Sequence, residues 1–296
     1  MTELKDLEIT YDKPNWCPGC GNFGLWGALK NAIIELNLNP WEVVLVSGIG
    51  CSSKMPYWIK TYGFSSLHGR PTPVAEGIKL ANNSLAVIVI AGDGDQYGEG
   101  LSHLIHAARR NIDITVIVHN NQIYGLTTGQ YSPTTDLNEK NKTSPTSITE
   151  IPLNPLFVTL SAGATFVARG FAGDIKHQAE LIKEGIKHKG FSVIDAMQPC
   201  VTFNHKNTFP WFRERIYKLE EEKHDFNDKS KAITRIEEWP LTKVIKEGEK
   251  ERIPTGIFYK KEEPAFEEGF PQIDKISLDK QPITDISIDS ILEKLM

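Results

Sequence analysis

The chain has 296 residues, 40% of them hydrophobic, with a formal net charge of −5. That length holds one large or two ordinary domains with a sizeable core, and the slight acidic excess gives no footing for nucleic acid. No apolar run reaches the roughly 18–20 residues a membrane span needs, and the charged start MTELKDLEITYDK lacks the apolar core of a secretory signal, so no membrane and a cytoplasmic location are expected.

Residues 1–16 read as a polar arm, and Cys17-Pro18-Gly19-Cys20-Gly21 as a tight knuckle. Trp26, Leu29, Ile33 and Leu36 share one face of a helix over about 22–37, which Asn39-Pro40 breaks. Glu42–Val46 is a strand running into Ser47-Gly48-Ile49-Gly50-Cys51-Ser52-Ser53, a loop with free backbone N–H groups. An aromatic stretch follows, then a helix from about Pro73 to Asn82. Leu85–Ile90 is a short β-branched run suited to a buried parallel strand. Leu101, Leu104, Ile105 and Ala108 form a helical face that Asn111 ends, and Ile112–Val118 is the next strand. Residues 122–155 form a long polar loop, of the kind usually kept for function. Thr165–Ala168 is a strand, Asp174 caps a helix carrying Ile175, Ile182 and Ile186 and closed by Gly190, and Phe191–Ala196 is another strand. This alternation predicts a doubly wound, mostly parallel α/β sheet. Beyond about residue 204 the character changes: Trp211–Glu222 reads as a helix, charge dominates to Lys261, and Ile288–Leu295 makes a small amphipathic helix. The division expected is therefore an α/β domain over 1–210 and a charged extension over 211–296 that packs on a partner.

The central stretch is residues 85–126, a strand–loop–helix–strand unit with the right-handed crossover of βαβ. Asp93 follows its first strand and Asn121 its second, so both emerge on the carboxyl edge, where open α/β sheets bind ligands. A carboxylate with an amide oxygen is hard-oxygen ligation suited to Mg²⁺ carrying phosphate, and Gly92 and Gly94 let backbone approach a phosphate closely. Rival readings fail: an EF-hand beginning at Asp93 needs Glu where Leu104 stands, and a dinucleotide fingerprint needs glycine where Tyr97 stands.

The cysteines add a second site. Cys51 and Cys200 follow strands, and Cys17 and Cys20 precede the first helix, so four thiols can meet on the same edge. Zinc and an iron–sulfur cluster both use four thiolates. Two ligands arriving singly from distant strand ends favour a [4Fe–4S] cluster, with structural zinc left as the alternative.

Gly92-Asp93-Gly94 followed by Asn120-Asn121 resembles the diphosphate-binding motif of thiamine diphosphate enzymes. Together with PNWCPGCG (14–21), SGIGCSSK (47–54), LHGRPTPVAEGIKLAN (67–82), HNNQIYGLTTGQYSPTT (119–135) and QPC (198–200), it is similar to the β subunits of 2-oxoacid:ferredoxin oxidoreductases over about residues 14–210. The resemblance implies the diphosphate-type thiamine diphosphate-binding fold. It implies Mg²⁺ on Asp93, Asn121 and the Ile123 carbonyl, and a [4Fe–4S] cluster on Cys17, Cys20, Cys51 and Cys200. Ile49, Gly50, Cys51 and Ser52 would contact the cofactor, His68, Gly94 and Asp95 its diphosphate, and Gly125 and Leu126 its reactive ring. Lys54 and Leu126 would act on substrate, by charge and by size, and Arg70 is a further candidate cation.

The implied activity is decarboxylation of a 2-oxoacid with one-electron transfer to ferredoxin and acyl transfer to coenzyme A. The activating glutamate of such enzymes sits on a pyrimidine-binding domain that this chain has no room for, so an α subunit is expected to supply it. The alternatives within this reading are a dedicated pyruvate or indolepyruvate enzyme, or a non-redox thiamine decarboxylase half with structural zinc.

Overall fold

The computed structural model describes residues 1–141, 144–239, 251–274, 276–282 and 289–295. Helix α1 (Asn22–Glu35) leads to β1 (Val43–Ser47), and a 3-10 stretch Ser52–Trp58 leads to β2 (Tyr62–Ser65). Then come α2 (Pro71–Ala81), β3 (Ala86–Gly92), a π-helical turn Gly94–Glu99, α3 (Leu101–Arg110) and β4 (Thr115–Asn120). A hairpin of β5 (Ile123–Tyr124) and β6 (Gln130–Tyr131) opens the polar loop, followed by α4 (Pro155–Ala162), β7 (Phe166–Phe171), α5 (Ile175–Lys187) and β8 (Ser192–Met197). The remainder holds α6 (Phe209–Arg213), β9 (Ile216–Lys218), α7 (Lys229–Ile236), β10 (Ile253–Lys260) and the short helices α8 (Pro271–Asp274) and α9 (Asp289–Leu295).

Eight strands form one sheet in the order β2-β1-β3-β4-β8-β7-β10-β9. The first six run parallel; β10 lies antiparallel to β7, and β9 runs with β10. Period-2 alternation divides each inner strand between two cores. Val44, Val46, Val87, Val89, Val116 and Val118 face α2, α3, α4 and α7. Leu45, Ile88, Ile90, Ile117, Ile194 and Ala196 face α1 and α5. The predicted doubly wound α/β sheet is thus present, with helices on both faces.

Caps act where the sequence placed them. Asn111 ends α3 in the left-handed region at φ 57°, and the Asp174 carboxylate accepts the N–H of His177 at the start of α5. One local reading is corrected, and three features are added to the reading. Residues Trp211–Glu222 are not one helix: α6 stops at Arg213, and Ile216-Tyr217-Lys218 pairs with β10 instead, because sheet hydrogen bonds and a β-favouring Ile-Tyr pair outweigh a weak helical pattern. The exposed aromatic stretch contains the edge strand β2. The run PLFVTLSA is helix α4, begun by Asn154, whose side chain accepts from the N–H of Phe157, with Pro155 at its first position. And β9 and β10, both beyond residue 210, extend the main sheet rather than leaving it. The charged run 243–250 and residue 288 lie outside the described residues.

Candidate functional site

The site is built by strand register. Ser47 lies level with Ile90, Gly92 with His119, and Asn120 with Met197. The residues leaving β1, β3, β4 and β8 therefore emerge side by side on the carboxyl edge, across the point where the strand order reverses between β1 and β3. One cavity there is lined by Ile49, Gly50, Cys51 and Ser52 from the loop after β1, and by His68. Its other walls are Gly92, Asp93, Gly94 and Asp95 after β3, and Asn121, Ile123, Gly125 and Leu126 after β4, joined by Tyr124 and Thr127. Every residue expected at the cofactor is at this one cavity.

Asp93 is almost fully buried, and its Oδ2 accepts hydrogen bonds from the hydroxyls of Ser132 and Thr134, the latter at 2.7 Å. Burial pushes its carboxyl up to about 6, against the pull of those hydroxyls. A divalent cation would supply the charge that burial withholds, so the donor set fits one. Asn121 Oδ1 accepts the N–H of Ile123 at 3.1 Å and keeps a second lone pair. Asp95, expected at the diphosphate, also has a structural part. It lines the cavity, and its carboxylate accepts the N–H of Gly69 at 2.6 Å and of Ile49 at 3.2 Å, tying two loops together. Gly48 is required beside it, since a Cβ there would lie 1.9 Å from Asp95 Oδ2. Burial raises Asp95 to about 6 as well. His68 Nδ1 lies 2.9 Å from Glu99 and 3.7 Å from Asp95, and its ring stacks on Tyr124.

A second cavity of about 220 Å³ adjoins the first, and Cys17, Cys20, Cys51 and Cys200 all line it, with Lys54 and Gln198. All four cysteines carry free thiols. Among the described residues no group of three or more His, Cys, Asp or Glu is placed to hold a metal ion. Burial pushes the Cys20 thiol up to about 11, with smaller contributions from Cys200, Cys51 and Cys17, while the Asn22 N–H opposes the shift. Burial also raises Cys51, and Lys54 opposes it. The fully buried Asn22 lines this cavity with its Nδ2 unpaired, a donor suited to a sulfur-rich group.

Cys51, Asn121, Gly125 and Leu126 belong to both cavities and form their common wall. A Cβ on Gly125 would stand 3.6 Å from Cys200 Sγ and 4.0 Å from Cys51 Sγ, so this backbone passes directly against two of the thiols. Lys54 Nζ donates to Asn15 Oδ1 at 3.3 Å and lines only the thiol side. Arg70 turns away, toward the carbonyls of Gly69 and Glu99.

Sequence reasoning missed the supporting shell. Ser132 and Thr134 hold Asp93 from the far side of the hairpin. Buried Trp16 donates its indole N–H to the Cys51 carbonyl at 2.6 Å while packing edge-on to Trp58 and Phe23. Trp16 precedes Cys17 and Gln198 precedes Pro199-Cys200, so adjacency to a thiol was the only available signal.

A thiamine cofactor cavity beside a thiol cavity, at the switch point of a parallel sheet, defines the diphosphate-binding half of a thiamine enzyme. Residues 48–196 match the family model of the thiamine pyrophosphate enzyme C-terminal TPP-binding domain. Residues 200–275 match the model of the C-terminal part of the pyruvate ferredoxin oxidoreductase β subunit. The chain is 46% identical to the 2-oxoacid:ferredoxin oxidoreductase subunit beta of Saccharolobus solfataricus, over 92% of this chain and 94% of that one. It is 45% identical to subunit beta of 2-oxoacid:ferredoxin oxidoreductase 1 of Aeropyrum pernix, over 83% and 77% respectively. A solved 2-oxoglutarate:ferredoxin oxidoreductase from Magnetococcus marinus, with 2-oxoglutarate, coenzyme A and succinyl-CoA bound, superposes with a TM-score of 0.87 at 36% identity, covering 99% of this chain and 95% of that one. The chain belongs to the family of 2-oxoacid:ferredoxin oxidoreductase β subunits. Among the described residues, no helix is long and apolar enough to cross a membrane.

Proposed function

We propose that this chain binds thiamine diphosphate, Mg²⁺ and a [4Fe–4S] cluster, and with an α subunit oxidises 2-oxoacids to acyl-CoA and CO₂, passing electrons to ferredoxin in the cytoplasm. The observation that carries the reading is the common wall of Cys51, Asn121, Gly125 and Leu126 between the two cavities. Asp93, Asn121 and the Ile123 carbonyl hold the cation and its diphosphate; Cys17, Cys20, Cys51 and Cys200 hold the cluster. When bound, thiamine diphosphate supplies carbanion chemistry at the keto carbon, and the cluster supplies one-electron transfer.

The chain's own residues position and shield. The buried Asp93 shell fixes one end of the cofactor, and Asp95 locks the loops carrying Ile49 and Gly69. Gly125 brings the backbone against the thiols of Cys51 and Cys200. Leu126, about half exposed at the common wall, presents an apolar side chain that limits substrate size. Lys54 attracts the substrate carboxylate from the thiol side. The activating glutamate, and with it turnover, comes from the α subunit, onto which the outer surface of the segment beyond residue 210 packs.

The test is anaerobic purification of the co-expressed complex, with iron, sulfide, zinc and thiamine analysis, a visible spectrum and ferredoxin reduction on a panel of 2-oxoacids. A brown protein carrying iron and sulfide that reduces ferredoxin only with a 2-oxoacid and coenzyme A is the expected result. A colourless zinc protein, or 2-oxoacid oxidation by the isolated chain, would overturn the reading.

A further inference from the structure

Gln198 has no part in the scheme so far, yet it touches both centres. It directly follows β8, and register sets it beside Asn121. Its side chain is almost fully buried. Its Oε1 accepts Asn121 Nδ2–H at 3.0 Å, and its Nε2 donates to Cys20 Sγ at 3.4 Å and to the Pro199 carbonyl at 2.8 Å. The direction of this chain of amides is determined by chemistry. The Ile123 N–H requires Asn121 to present its oxygen there, which turns Asn121 Nδ2 toward Gln198. Gln198 must then answer with its oxygen, leaving both Nε2 hydrogens for sulfur and carbonyl.

The knuckle is shaped around this side chain. A Cβ on Gly21 would fall 2.9 Å from Gln198 Cγ and 3.1 Å from Nε2, so the last glycine of CPGCG vacates the space that Gln198 fills. The Gly21 N–H also donates to the Pro199 carbonyl at 3.1 Å, which stitches the knuckle to the end of β8.

We propose that Gln198 is a positioning residue that couples the diphosphate clamp to the iron–sulfur ligands, tuning the cluster's potential according to whether the thiamine site is filled. The inference rests on the cluster reading given above. An N–H donated to a ligating sulfur stabilises the more negative, reduced cluster and raises its potential. A cation on Asn121 Oδ1 polarises that amide, and the polarisation passes through Gln198 to the sulfur. The coupling is reciprocal: reducing the cluster tightens binding of thiamine diphosphate by the same factor.

The test is an EPR-monitored redox titration of the anaerobic αβ complex, with and without thiamine diphosphate and Mg²⁺, beside iron and sulfide analysis. In wild type the filled site titrates at the higher potential. Gln198→Met keeps length and removes both donor and acceptor. It should lower the reduced-to-oxidised ratio about tenfold at a fixed potential, about 59 mV for one electron. It should also abolish the cofactor-dependent shift and weaken thiamine diphosphate binding. Gln198→Glu keeps the acceptor but sets a carboxylate against the sulfurs, and should shift the potential further the same way; it serves alone if the Met variant does not assemble. Variants that hold a full cluster and titrate with wild type, or a wild-type potential indifferent to the cofactor, would overturn the coupling while leaving the cluster reading intact. A wild-type complex lacking iron and sulfide would overturn both.

Discussion

Replacing Arg169 by methionine should destabilise the protein and loosen the cofactor site together. Arg169 on β7 and Asp195 on β8 are fully buried and paired, Nε to Oδ2 at 3.1 Å. Asp195 Oδ1 also accepts Tyr97 Oη–H at 3.1 Å and Asn120 Nδ2–H at 3.0 Å. Those two donors come from the turn after Asp93 and from the residue before Asn121, so the ion pair sits directly beneath both arms of the clamp. Arg169 further donates to the Trp239 carbonyl at 3.2 Å and stacks near the rings of Trp239 and Phe258. Removing one member of such a pair leaves a buried charge uncompensated and costs about 3–5 kcal/mol. For a domain of this size that corresponds to an apparent melting shift on the order of 10 °C. Arg169→Met/Asp195→Asn removes the orphaned charge and should recover a good part of the loss. The assay is thermal unfolding of the αβ complex with a parallel titration of thiamine diphosphate. Melting of the single variant within about 2 °C of wild type, less than the shift from 1 kcal/mol, or a double variant no more stable than the single, would refute the argument.

Three further outcomes follow from the same shell. Thr134→Val keeps shape but removes the single hydroxyl donor that Asp93 and Asn120 share, and should weaken thiamine diphosphate·Mg²⁺ binding by roughly 10–100-fold by calorimetry; an unchanged affinity would remove Thr134 from the clamp. Gly94→Ala would put a Cβ 2.3 Å from the Tyr124 ring, whose hydroxyl donates to the Gly94 carbonyl, so cofactor binding should be lost and partly restored by adding Tyr124→Ala. A Gly94→Ala protein of normal affinity would contradict that packing. Trp16→Phe keeps the aromatic contacts but orphans the Cys51 carbonyl, and a loss of about 1–3 kcal/mol should appear in the melting transition. No shift on this substitution would mean the indole N–H is dispensable.

What the sequence determined by itself was local and periodic. The β-branched runs dictated the central strands, and the apolar spacing dictated α1, α3 and α5. Strand ends followed by Asp93 and Asn121 located the cofactor edge, because parallel strands deliver whatever follows them to one side. The four cysteines were legible as a set for the same reason. What only the tertiary structure decided depended on pairings distant along the chain. β10 is sheet because β7 offers it an open edge, and β9 because β10 then offers another. Asp95 ties two loops together because folding brings the N–H groups of Ile49 and Gly69 to it. The links between clamp and thiols, through Trp16, Gly125 and Gln198, join residues 35 to 178 positions apart or meet at a common wall. Such contacts have no period to read; they exist only once hydrogen-bonded register has laid the strand ends side by side.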